Sequence, residues 1–95
     1  MPEMHFDVRW PDDSVSQCYS PSLIVKEYLE VGQRYPLAEF VERSRTALNI
    51  GSERVREKFG FTCSSAMDQL ARIETAAKRF EGDERAEVTV EAFRP

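Results

Sequence analysis

A long helical stripe constrains this chain more than any other feature. From Pro36 onward, apolar or small residues fall at Leu37, Phe40, Val41, Ser44, Leu48, Gly51, Val55 and Phe59. The spacing keeps a 3.6-residue period for about six turns, as in a helix with one buried face. Glu39 and Arg43 stand four apart between the apolar positions, where such a pair contributes about 0.2–0.5 kcal/mol. Gly51 lies on the stripe, so the helix either breaks there or brings a neighbour close. Gly60 reads as a C-terminal stop. Thr62 or Ser64 then caps a second helix, with a stripe of Cys63, Ala66, Met67, Leu70, Ile73, Ala77 and Phe80 and a stop at Gly82.

Two helices with apolar faces need a layer to cover, and the ends of the chain supply one. Residues 4–10, MHFDVRW, alternate cleanly: Met4, Phe6, Val8 and Trp10 point one way, and His5, Asp7 and Arg9 the other. Pro11-Asp12-Asp13 is turn chemistry. Residues 14–19 return as a second strand, with Val15, Gln17 and Tyr19 on one side. Ser20-Pro21 reads as an N-cap and first helical position for a short helix over 22–29. Leu23, Ile24 and Tyr28 share a face of that helix, and residues 31–34 read as loop before the long stripe. Residues 86–93, AEVTVEAF, alternate again as a last strand. The expected fold is an α+β two-layer domain over residues 1–95. Its three-stranded antiparallel sheet, an N-terminal hairpin plus a C-terminal strand, is covered by a helical hairpin. A chain of 95 residues buries only about 60–65% of its unfolded surface, so dimerisation would add to a small stability margin.

Composition argues against several function classes, although a local basic patch is compatible with it. The net charge is −4, whereas nucleic-acid binders gain most of their affinity from basic groups on phosphates. No apolar run approaches the roughly 20 residues of a membrane span. The N-terminus, MPEMHFDVRW, has no basic region followed by an apolar run, so a signal peptide is not expected and the location reads as cytoplasmic. Cys18 and Cys63 are then free thiols. With one histidine, two cysteines and four glycines, neither a metal site nor a phosphate-binding loop is expected, and no cofactor is implied.

Four stretches carry candidate chemistry. Cys18 stands near a helix N-terminus, where the dipole lowers a thiol pKa, but free cysteine more often packs as a small hydrophobe. Tyr19 beside it anchors sheet to helix. Arg9-Trp10 ends the first strand, and Trp and Arg are enriched at interface hot spots; packing of Trp10 into a small core is the favoured alternative. Residues 52–74 also fit a helix-turn-helix, with Ser52–Phe59 as first helix, Gly60-Phe61-Thr62 as turn and Cys63–Glu74 as recognition helix. Arg54, Arg56, Ser64, Ser65 and Arg72 would meet DNA there, though Asp68 would face the phosphates. The acidic groups Asp12-Asp13, Glu81 and Asp83-Glu84 fall in turns and read as solvated.

R-W-P-D (9–12), C-Y-S-P-S (18–22), Y-P-L (35–37), G-F-T-C-S (60–64) and D-Q-L (68–70) follow one another along nearly the whole chain. In order and spacing they resemble a family of short bacterial nitrogen starvation response proteins. The resemblance implies a gene cluster holding a nitrilase, a radical-SAM protein, an acetyltransferase and a flavin-dependent oxidoreductase. It also implies a role in nitrogen scavenging, including nitrile or cyanide use. It brings no activity and no catalytic residues. The expectation is therefore a small non-catalytic accessory protein of a cytoplasmic, nitrilase-associated pathway. Arg9, Trp10, Cys18 and Tyr19 mark its candidate surface, a nitrilase-cluster enzyme is a candidate partner, and a homodimer is open. The alternatives are a DNA-binding regulator using residues 52–74 and a ligand binder or thiol enzyme using Cys18.

Overall fold

The computed structural model describes residues 3–61 and 64–94. Strands β1 (Met4–Arg9) and β2 (Val15–Ser20) form the N-terminal hairpin, in register from Met4 opposite Ser20 to Arg9 opposite Val15. Asp13 sits at φ 68° in the turn, a left-handed position that aspartate tolerates. The Asp12 carboxylate accepts the Ser14 N–H at 3.0 Å, an Asx turn that fixes the corner. Alternation sorts the side chains as the pattern predicts. Met4, Phe6, Val8 and Trp10 are buried under the helices, and His5, Asp7 and Arg9 lie on the opposite face, where Asp7 is nonetheless buried and paired with Arg94 at 2.9 Å.

The long stripe forms one uninterrupted helix, α2 (Leu37–Phe59), 23 residues in length. It does not break at Gly51. A Cβ there would stand 3.1 Å from Pro21 Cγ and 3.5 Å from Ser22 Cβ, so the missing side chain is what admits the Pro21 corner. Gly60 takes φ 82° and donates its N–H to the Arg56 carbonyl at 2.8 Å, the left-handed C-cap its position predicts. Helix α3 (Ser64–Lys78) returns alongside, burying Ala66, Leu70, Ile73 and Ala77. Thr62 and Cys63, a predicted cap and stripe position, lie outside the described residues. The last strand, β4 (Glu87–Arg94), pairs with β1 at the centre of the sheet.

Two expectations are corrected. The sheet has four strands, not three. β3 (Arg34–Pro36) runs from the last residue of the stretch read as loop to the proline that opens the long stripe, and the order is β2-β1-β4-β3 with every neighbour antiparallel. Three residues ending in proline carry no alternation to read. Proline fits because an edge strand leaves one side without a ladder partner. The first helix is also shorter than predicted: α1 spans Val25–Tyr28, four residues. Ser20 completes β2 instead of capping, and its Oγ donates to the Ser22 carbonyl at 2.7 Å. Residues 20–24 are thus held as a corner. Its buried side is Ile24, Val25 and Leu29, while Leu23 is exposed and Tyr28 is half-buried.

The core lies between the sheet and the α2–α3 hairpin. Trp10 is 2% exposed, edge-on to Phe40 at 5.6 Å and stacked on Phe80 at 6.2 Å. Its indole N–H donates to Ser16 Oγ at 2.9 Å, so the polar end of the ring is satisfied as well.

Candidate functional site

The residues singled out in the sequence do not converge. Cys18 lies on the inner face of β2 and is buried; burial first, then the Asp7 charge, pushes its thiol up to about 12. A nucleophilic cysteine needs the opposite, a depressed pKa and an open approach. His5 and Tyr19 face each other across β1 and β2 on the outer side of the sheet, ring centroids 5.8 Å apart, with the sheet between His5 and the Cys18 sulfur. Trp10 belongs to the core. Arg9 pairs with Glu91 on the outer face, where a β-bulge between Asp7 and Val8 leaves Glu91 as the extra residue of β4. Arg9 and Tyr19 are therefore separated from Trp10 and Cys18 by the thickness of the sheet. Among the described residues, no group of three or more His, Cys, Asp or Glu side chains is placed to hold a metal ion.

Residues 52–74 do not adopt the helix-turn-helix outline. The expected first helix, Ser52–Phe59, is the final third of α2. An Arg45–Glu74 ion pair at 3.7 Å ties the middle of α2 to the second half of α3, which makes the two an antiparallel hairpin. A helix-turn-helix crosses its helices at about 90–120°. Of the cations proposed to meet phosphates, Arg56 is paired with Glu53 and Arg72 with Asp68, each at 3.0 Å. Arg54 donates to Ser22 Oγ at 3.4 Å, and Ser64 and Ser65 are exposed.

The same hairpin carries a feature of a different kind at its tip. From Glu53 to Phe61 only Val55 is even partly buried, so α2 runs some two turns beyond the core. Phe59 and Phe61 lie at the end, 53% and 65% exposed, with ring centroids 6.3 Å apart. The Lys58 ammonium lies 5.7 Å from the Phe59 ring and makes no ion pair among the described residues. Isolated exposed apolar side chains are ordinary; two phenylalanines in contact with each other and beneath a cation are a patch.

At the far end of the hairpin, the start of α2 and the end of α3 enclose a groove of about 580 Å³. Leu37, Val41, Ala77 and Phe80 give it an apolar floor, and Phe80 is anchored by its stack on Trp10. The rim is acidic. Glu42 and Glu74 are shared by Arg45, at 2.6 and 3.7 Å. Glu81 and Glu84 form no ion pair among the described residues.

The family model described as nitrogen starvation-induced protein NitG matches residues 5–93. The chain belongs to that family. No curated protein and no solved structure matches it. Among the described residues, no helix is long and apolar enough to cross a membrane. The NitG match takes in both the phenylalanine tip and the acid-rimmed groove.

Both of these surfaces escaped the sequence reading, for separate reasons. Phe59 satisfies the helical stripe and so reads as core, although the sheet beneath it ends earlier. Glu81 and Glu84 read as solvated turn residues, because only the fold sets them beside Leu37 and Val41.

Proposed function

We propose that this chain is a non-catalytic accessory protein of the nitrogen-starvation response that works by docking a protein on the tip of its helical hairpin. The observation that carries the reading is the exposed Phe59–Phe61 pair at the end of two unpacked helical turns. Aromatic side chains are enriched in the buried centres of interfaces, and two exposed phenylalanines set together differ from the singly scattered apolar residues of an ordinary surface. The NitG family supplies the starvation context. The finer parts of the proposal are a cytoplasmic nitrogen-scavenging pathway and a partner among the enzymes of a nitrilase cluster. The inaccessible sulfur of Cys18 favours docking over thiol chemistry.

The test is affinity capture from nitrogen-starved cells with and without nuclease, comparing the natural chain with Phe59→Ser/Phe61→Ser. The expected outcome is a protein retained by the first and lost from the second. Retention by both chains would overturn the assignment of the tip. Capture that disappears with nuclease would point back to nucleic acid.

A further inference from the structure

We infer that the hairpin tip docks into the acid-rimmed groove of a second copy, so that chains associate head to tail. The inference rests on the tip being a docking element and names its occupant.

Three observations lead there. First, the two surfaces match in chemistry. The tip offers two phenyl rings with Lys58 over Phe59 and Glu57 next to it in sequence; the groove offers an apolar floor with Glu81, Asp83 and Glu84 against Lys78. Among the described residues Lys58 forms no ion pair, and neither do Glu81, Asp83 and Glu84, which outnumber the one unpaired cation of the rim, Lys78. Second, the sizes agree. A groove of about 580 Å³ falls within the range of pockets that bury drug-sized ligands, enough for the rings of Phe59 and Phe61. Third, a chain cannot fill its own groove. Val41 in the floor and Phe59 at the tip lie on one continuous helix, about 27 Å apart along its axis. The tip must come from another molecule.

A contact of tip with groove is heterologous: each chain uses one surface as donor and the other as acceptor. Such contacts propagate into open chains or close into rings, unlike a two-fold dimer. Two side chains seated in one groove should bury less than the ~1,200 Å² of stable complexes, so association should be weak and depend on concentration. It should also fall with added salt, because exposed charge pairs are screened beyond about 8 Å at physiological ionic strength.

Sedimentation velocity from about 10 μM to about 1 mM, the range of weak dissociation constants, tests this. The natural chain should show a weight-average mass that climbs past that of a dimer. Phe59→Ser/Phe61→Ser has a broken tip and an intact groove; Glu81→Lys/Glu84→Lys has the reverse. Each alone should remain a monomer. Mixed in equal amounts, they should form a complex of two chains and stop there, since the one remaining tip meets the one remaining groove. A natural chain that is monomeric throughout the range overturns the inference, as does one that stops at a dimer, or a mixture with no complex. All four substituted residues are exposed, so folding should survive; far-UV circular dichroism verifies it. A monomeric chain that still captures a cellular protein through Phe59 and Phe61 would remove this inference and leave the accessory function. Self-association without capture of another protein would do the reverse.

Discussion

At the scale of single residues, Cys18 and Gly51 show how position outweighs type. Cys18 has the sequence neighbours of a reactive thiol and the surroundings of a core residue. Its thiol ionises near 9.0 when unperturbed and near 12 in the fold. Above pH 9 the unfolded chain therefore loses a proton that the folded chain keeps, and stability falls as pH rises toward 12. The slope from this group is at most about 1.4 kcal/mol per pH unit. Chemical denaturation of the natural chain and of Cys18→Ala across pH 8–11 checks it; the difference between the two should shrink steadily with pH. A constant difference would contradict the buried thiol. Mass-mapped alkylation at neutral pH should likewise modify Cys18 only after unfolding. Gly51 was ambiguous in sequence because a glycine on a helical stripe can mark a break or a close approach. Its 3.1 Å clearance to Pro21 decides for the second. Gly51→Val should lose about 1–3 kcal/mol by overpacking, measured as a lower denaturation midpoint. An unchanged midpoint would mean that the Pro21 corner yields freely.

At the scale of elements, legibility followed length and periodicity. β1, with its strict alternation from Met4 to Trp10, and α2, with its stripe from Leu37 to Phe59, were readable because many residues repeat one message. α1 and β3 were not. Ser20-Pro21 carries the letters of a helix start, yet Ser20 ends a strand and the helix waits until Val25, because Pro21 is seated against Gly51. Arg34–Pro36 is a strand only because β4 is beside it: Tyr35 stands opposite Val88, and its hydroxyl accepts the Glu30 N–H at 2.9 Å. The end of α2 misled in a subtler way. Periodicity continues through Phe59 after burial has stopped at Ser52, apart from the half-buried Val55. Native-state amide exchange should divide the helix accordingly, with strong protection at residues 44–51 and fast exchange beyond about residue 56. Uniform protection to Phe59 would mean that the tip is already packed against something, and size measurement on the same sample would say whether it is another copy.

At the scale of the whole molecule, the helical hairpin sets the two ends apart. One end carries Lys58 and the two exposed phenyl rings, the other is concave with an acidic balance, and the sheet is packed along the side between them. A net charge of −4 conceals this asymmetry, which is why composition says nothing about docking. Family membership was legible from short motifs spread over nearly all of the chain, whereas the surfaces were not, since groove and tip are each assembled from residues distant in sequence or deceptive in period. A photo-reactive phenylalanine analogue placed at position 59 in nitrogen-starved cells would report what the tip touches. Its control would be the same analogue at position 15, where Val15 is also 53% exposed but lies on the bare face of the sheet. Discrete adducts at position 59 and none at 15 are expected, with either a second copy or a partner protein in the adduct. Adducts absent from position 59, or equal at both positions, would contradict a docking role for the hairpin tip.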